Sequence, residues 1–369
     1  MRVLQVVSLL SPDGAFGGPA RVALNQSAEL VRQGHHVTLA AGTRGYRVVP
    51  TESHGVALRL FPVRTALPFL GFSGMTAPGL TRWARAHLDE FDVVHIHLGR
   101  DLMVLPVAAL ARRHRAPYVL QTHGMVIPSR HPLAGPLDTL WTRRILAGAA
   151  AVFYLTDLER EQIRQVAHGE GLVNLVNLPN GVPDHPLVPA RSDAVPEVLF
   201  LGRLHARKRP VLFVQMARRL LDEGVRARFT LVGPDEGEGP AVLAAIGAES
   251  RIRWEGPVDP EDAAQRLAQA TAYVLPAERE PYPMAVLEAM SVGVPVVVCP
   301  DCGLAPAIRD TGGGKVANGT VEDLTAAVKA ILSDAGAYGR RARATARRDF
   351  GMRVVVDRLL GIYRVAATR

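Results

Sequence analysis

Short apolar runs rich in Val, Ile and Leu alternate with helix-period segments along the whole chain, and this alternation leaves few architectures open. The first half carries such runs at residues 3–10, 36–41, 57–63, 92–98, 118–122 and 151–156, with helical spacing at 19–33, 77–89, 133–147 and 157–167. Several runs are continuously apolar rather than alternating, as expected of parallel strands covered on both faces. That is βαβ wiring, with right-handed crossovers.

The rhythm breaks at Leu178-Pro179-Asn180-Gly181-Val182-Pro183-Asp184-His185-Pro186, where Pro and Gly recur. A linker is expected over 186–196, followed by a second series of strands at 197–202, 228–233, 251–255, 272–276 and 295–299. Two α/β halves follow, 1–185 and 186–351. An amphipathic segment at 352–365 is expected to pack, with the rest of 352–369, back onto the first half. In such open sheets ligands bind at the strand C-termini, so both halves should face a central cleft.

Of the 369 residues 48% are apolar, enough for sizeable cores. No stretch approaches the roughly 18 apolar residues of a membrane helix. The first residues enter a strand pattern without a signal-peptide layout, so a cytoplasmic location is expected. Two cysteines, Cys299 and Cys302, make no disulfide framework, and their Cys-x-x-Cys spacing has no second pair beside it. The net charge is 43 − 35 = +8. No zinc-finger spacing or aromatic-basic platform accompanies it, which argues against nucleic acid and leaves phosphorylated substrates or an anionic membrane surface. The charge and the apolar tip at 67–70 admit peripheral contact with the inner face of a membrane.

Four segments carry candidate chemistry. In Glu280-Pro281-Tyr282-Pro283-Met284-Ala285-Val286-Leu287-Glu288 a loop enters a helix, with Pro283 suited to its first turn, Gly293 to its end and Pro295 beyond. Glu288 falls among apolar neighbours and Glu280 just ahead of the helix, whose N-terminus is a natural phosphate seat. In Gly202-Arg203-Leu204-His205-Ala206-Arg207-Lys208-Arg209-Pro210, Arg203 and Lys208 can reach a diphosphate, while Arg207 and Arg209 read as a solvated run. Lys208 is one of only three lysines, with Lys315 and Lys329. Gly17 and Gly18 precede Pro19 at a further helix start, without the dinucleotide fingerprint. His123 ends the strand of Leu120-Gln121-Thr122-His123-Gly124 and should face the cleft. His95 and His97 share a strand face and read as core or cleft wall, since two histidines without carboxylates make a weak metal site. Gly312-Gly313-Gly314-Lys315 lacks the spacing of a phosphate loop.

The two glutamates running into Glu-Ala-Met-x-x-Gly-x-Pro-Val-Val resemble the signature of the retaining glycosyltransferases of family four, which have the GT-B fold: two Rossmann-like domains with parallel sheets facing a cleft. The resemblance spans about the whole chain and is strongest over 198–298. It includes the Gly-Arg…Lys element, the glycine loop, His123-Gly124, Asn180-Gly181-Val182 and Leu231-Val232-Gly233-Pro234-Asp235. It implies that Glu280 meets hydroxyls of the transferred sugar, Glu288 the nucleotide ribose, and Arg203 and Lys208 the leaving diphosphate. It also implies that His123 lies near the sugar's reactive centre and that Gly17, Gly18, Tyr282, Met284 and Ala285 line the donor site. Pro283 stands where relatives have glycine, and Gly303-Leu304-Ala305-Pro306-Ala307 lacks a glutamate they often carry. The implied enzyme uses a nucleotide diphosphate sugar as co-substrate, a hydroxyl acceptor, no metal and no other cofactor. The acceptor stays open among a polysaccharide, a lipid-linked sugar and a small natural product, as does the oligomeric state. The alternatives are a non-catalytic nucleotide-sugar-binding protein and a GT-B nucleotide-sugar epimerase.

Overall fold

The computed structural model of the chain describes residues 1–12, 17–168, 174–185, 195–259 and 261–368. The chain packs as two compact units, Met1–Gly181 with Met352–Arg369, and Val182–Gly351. The change of unit falls at Gly181/Val182 rather than at 185/186. The Val182 N–H donates to the Phe350 carbonyl at 2.8 Å and so already belongs to the second unit. Most of the expected linker, residues 186–194, lies outside the described residues.

Among the described residues the first unit holds seven parallel strands: β1 (Arg2–Leu10), β2 (His36–Thr43), β3 (Val56–Pro62), β4 (Val93–His97), β5 (Tyr118–Gln121), β6 (Ala151–Tyr154) and β7 (Leu175–Asn177). They lie in the order β7-β6-β5-β4-β1-β2-β3, with the two-residue strand Glu52–Ser53 antiparallel at the edge. Side chains of β1 alternate between two apolar clusters, Leu4, Val6 and Leu9 in one and Val3, Val7 and Leu10 in the other. Burial on both faces is why the run is mostly apolar, with Gln5 a buried polar exception.

One of those clusters is closed by α1 (Gly17–Arg32) and by the C-terminal helix, α6 below (Met352–Ala367). Met352, Val355, Val356, Leu359, Leu360, Tyr363 and Ala366 recur at helical spacing and are all buried there. Each fully buried aliphatic side chain contributes on the order of 1.5–3 kcal/mol. Helix α1 begins at Gly17, so Pro19 is its third residue rather than its first. It stays in the first turn, where a missing N–H costs nothing. Residues 13–16 of the expected glycine loop lie outside the described residues. The helix expected at 133–147 is interrupted by a π turn at Asp138–Thr142.

The second unit holds β8 (Glu197–Leu201), β9 (Arg228–Val232), β10 (Ile252–Trp254), β11 (Ala272–Leu275), β12 (Val296–Val298) and β13 (Gly314–Val316), all parallel, in the order β10-β9-β8-β11-β12-β13. Strand β13 was not legible behind its glycines. Gly314 packs so closely on β12 that a Cβ would stand 2.1 Å from the Val296 carbonyl oxygen. Among the covering helices, α2 (Asp157–Ala167) belongs to the first unit, and α3 (Pro210–Asp222), α4 (Met284–Ser291) and α5 (Ala335–Phe350) to the second. Helix α4 starts one residue after Pro283, which is its N-cap. It ends in a Schellman motif: Gly293 at φ 83° lets its own N–H reach the Met290 carbonyl and that of Val294 reach Ala289.

Strand order reverses once in each unit, between β1 and β4 and between β8 and β11. The C-terminal ends of these strands are where each sheet opens a crevice.

Candidate active site

At the switch point of the second unit, the turn after β8 and the loop after β11 are neighbours because their strands pair. The first delivers Lys208 from the 3-10 turn Ala206–Lys208, the second Glu280. Glu280 is 7% exposed, and one of its oxygens, Oε2, accepts from both the Lys208 ammonium and Arg207 Nη1, the latter at 2.7 Å. Burial pushes the Lys208 pKa down, and Glu280 opposes that shift.

The expected solvated run is corrected here. Arg207 is an ion-pair partner of Glu280 and also donates to the Arg279 carbonyl at 3.2 Å. Arg209 donates to the Gly319 carbonyl at 2.9 Å and pairs with Glu278 at 3.3 Å. The cause is topological: adjacent parallel strands place these two loops side by side, which spacing along one segment cannot reveal. Arg203 behaves differently. Its side chain is 53% exposed and its Nη1 lies 2.8 Å from Glu236, not on Glu280. It remains close enough for its charge to lower the Lys208 pKa.

The backbone ahead of Glu280 is held from three sides. Arg279 adopts φ 48°, a left-handed conformation that non-glycine residues rarely take. The Asp301 carboxylate accepts its N–H, Arg207 binds its carbonyl, and the Gly303 N–H donates to the Glu280 carbonyl at 3.0 Å. Sequence reasoning missed Asp301 as a brace, although it lies inside the noted Cys-x-x-Cys. Both cysteines are buried, and burial pushes their thiols up to about 11 and about 12, which leaves them unreactive.

Glu288 is buried on α4, and both it and Glu280 add to the burial that raises the pKa of Tyr273, so the two carboxylates share one neighbourhood. Tyr282, Met284 and Ala285 are partly buried against the core at the start of α4. The N-cap of α4, Pro283, has no capping side chain, and the first N–H that turns back is that of Val286, which follows those of Met284 and Ala285 and reaches the Pro283 carbonyl at 3.1 Å. A cavity of about 290 Å³ beside Lys315, Asn318 and Asp323 contains none of the expected site residues.

At the switch point of the first unit, His123 follows β5 at φ 50° with Gly124 at φ 72°. Glu159, on the first turn of α2, fixes this turn: its Oε1 accepts from Thr122 Oγ1 and the Gly124 N–H, both at 2.5 Å, and its Oε2 accepts from the Leu155 N–H at 2.7 Å. Thr156 caps α2 through the Glu159 N–H at 3.2 Å. Thr156-Asp157-Leu158-Glu159 is a capping-box pattern, the signal that could have found Glu159. His123 lies edge to edge with His97 in nearly one plane, the rings inclined by 8° with centroids 5.0 Å apart, and His97 stacks on His95 at 4.6 Å. Burial lowers all three pKa values, those of His95 and His123 to about 3. Asn180 accepts from Gln121 at 3.0 Å. Gly18 is exposed, with open space where a Cβ would stand, and Gly17 opens α1. Among the described residues no three His, Cys, Asp or Glu side chains form a metal-holding group, and no helix is long and apolar enough to cross a membrane.

Comparison with known proteins adds an independent line. The family described as "Glycosyl transferases group 1" matches residues 195–334, and "Glycosyl transferase 4-like domain" matches 17–181. The alpha-D-kanosaminyltransferase of Streptomyces kanamyceticus is 26% identical over 345 residues, 84% of this chain and 88% of that protein. A D-inositol 3-phosphate glycosyltransferase of Geodermatophilus obscurus is 32% identical over 188 residues, 48% of this chain and 41% of the relative's length. Among solved structures, Anabaena Alr3699/HepE in complex with UDP and glucose superposes with a TM-score of 0.75 at 18% identity, covering 97% of this chain and 98% of that one. With one family profile on each unit, the chain belongs to the group 1 glycosyltransferases of GT-B fold and is a glycosyltransferase.

Proposed function

We propose that the enzyme transfers a sugar from a nucleotide diphosphate sugar to a hydroxyl acceptor with retention of anomeric configuration and without a metal ion. The observation that carries this reading is the buried Glu280 holding Lys208 and Arg207 beside the uncapped start of α4. Two cations on one carboxylate are kept in place before any ligand arrives, so little reorganisation is needed when a diphosphate claims them. Arg203, released from its exposed pair with Glu236, would join them. Charge-assisted hydrogen bonds of this kind contribute roughly 1.5–3 kcal/mol each.

In the proposed reaction the bond from the anomeric carbon to the phosphate oxygen breaks, and the diphosphate departs with the electron pair. The acceptor oxygen bonds to the same face of that carbon, and its proton passes to a departing phosphate oxygen. Glu280 would hold sugar hydroxyls, Glu288 the ribose, and His123 the sugar near its reacting carbon. Gly17, Gly18, Tyr282, Met284 and Ala285 would line the donor. The bound UDP of the Anabaena neighbour supports testing uridine diphosphate sugars first, and the inositol phosphate relative supports including cyclitols among acceptors. Phe69, 74% exposed on the turn Pro68–Gly74, supports peripheral membrane contact as a separate proposal.

The test is a panel of uridine, guanosine and adenosine diphosphate sugars scored by thermal shift and by NMR for transfer. One donor should raise Tm and be consumed only when an acceptor is added. Consumption without acceptor, giving an isomerised donor, would replace transfer with epimerisation.

A further inference from the structure

Five side chains in the first unit form one hydrogen-bonded line. His123 Nε2 lies 2.7 Å from His97 Nδ1, and His97 Nε2 lies 2.7 Å from Gln5 Oε1. Gln5 Nε2 lies 3.4 Å from the Tyr363 hydroxyl, which lies 2.6 Å from His95 Nδ1. Gln5 comes from β1, both inner histidines from β4, and Tyr363 from α6; all four are 0–1% exposed. A neutral imidazole has one donor nitrogen and one acceptor nitrogen. In a line of such rings, the direction of one bond therefore sets the direction of all.

That direction is set by the Gln5 amide, whose carbonyl oxygen lies 2.7 Å from His97 Nε2 and whose nitrogen lies 3.4 Å from the Tyr363 oxygen. An amide nitrogen only donates, so Tyr363 accepts from Gln5 and its own hydroxyl proton is available to His95 Nδ1, 2.6 Å away. A carbonyl oxygen only accepts, so His97 carries its proton on Nε2 and leaves Nδ1 bare. His123 must then donate from Nε2, and its Nδ1 is left as an acceptor. At the far end the His95 proton sits on Nε2, a buried atom with no hydrogen-bond partner among the described residues.

We infer that Gln5 and His97 are positioning residues that hold His123 in the Nε2–H tautomer, so that Nδ1 accepts a hydrogen bond from a hydroxyl of the bound nucleotide sugar. The inference rests on the proposed placement of His123 at the donor sugar. Tyr363 extends the line to the C-terminal helix, so α6 anchors a side chain of the site as well as covering the sheet. Burial of the rings keeps them neutral, without which the single-direction argument fails.

The experiment is long-range proton–nitrogen NMR on full-length protein labelled with 15N-histidine, which reports the protonated ring nitrogen of each histidine. His97 and His123 should both show Nε2–H; a His123 protonated on Nδ1 overturns the inference. Gln5→Leu should leave His123 in a mixture of tautomers and lower kcat/KM about tenfold. Tyr363→Phe, which frees the Gln5 amide to turn, gives the same readout if Gln5→Leu does not fold. An unchanged His123 tautomer in both Gln5→Leu and Tyr363→Phe counts against the relay. UDP-glucose and GDP-mannose are then added to the wild type. If neither shifts the His123 ring signals and His123→Ala retains turnover, the placement at the donor falls while the control of the tautomer stands.

Discussion

The two units keep polar groups inside by opposite means. At the β8/β11 switch point the solution is full charge: one carboxylate, Glu280, between the cations of Arg207 and Lys208. At the β1/β4 switch point it is neutrality: three imidazoles, an amide and a phenol sharing one line of hydrogen bonds. A charged cluster suits a site that must receive and release a diphosphate, because its partners can be exchanged for ligand oxygens. A neutral line suits a site that must present one defined hydrogen-bonding atom. The first is vulnerable to loss of a partner, the second to protonation.

Loss of a partner should give the largest effect. Glu280→Ala should lower kcat by about a hundredfold, roughly 2.7 kcal/mol of transition-state stabilisation, in steady-state assays at saturating donor. Near wild-type kcat would remove its assigned role. Lys208→Ala should lower kcat/KM tenfold or more, about 1.4 kcal/mol. Arg203→Ala should cost only about threefold, because its guanidinium already sits half exposed on Glu236. Equal effects of the two would break the distinction between an enclosed and a peripheral cation.

Acid should separate the units next. His95 and His123 are pushed down to about 3 from an ordinary value of 6.5, so between these limits the unfolded chain binds protons that the folded chain refuses. Stability is therefore full above about pH 6.5 and falls as pH drops toward 3, by up to about 1.4 kcal/mol per pH unit for each such histidine. Amide hydrogen exchange at pH 7 and pH 5 should show the first unit losing more protection than the second. Equal losses would mean the imidazoles are not held neutral. The smallest effect expected is that of a chelator on activity, namely none; a strict magnesium requirement would contradict the metal-free reading.

Much of the architecture was legible because parallel strands covered on both faces are apolar at most positions. β1, β2 and β8 stand out as such runs, and the amphipathic spacing of Met352, Val355, Leu359 and Tyr363 marks α6. Two short edge strands were not legible: β7 and β13 have three residues each, and β13 opens with a glycine, whereas β10, equally short and also at an edge, was expected at 251–255. In the site, Glu280 and Lys208 were found as members of a resembling motif. Arg207, Asp301 and Glu159 were not, because what makes each matter is a contact with a loop far away in sequence.

By itself, then, the sequence determined the α/β wiring and the two-part division, and only in part the charged residues that the second unit gathers around Glu280, because hydrophobic periodicity and short motifs are local properties. Only the tertiary structure decided which cation sits on which carboxylate, why Arg203 stands apart from Lys208, and which nitrogen of His123 is left bare. Those outcomes depend on strand order and on hydrogen-bond direction across residues as distant as Gln5 and Tyr363, and neither quantity is written into any single segment.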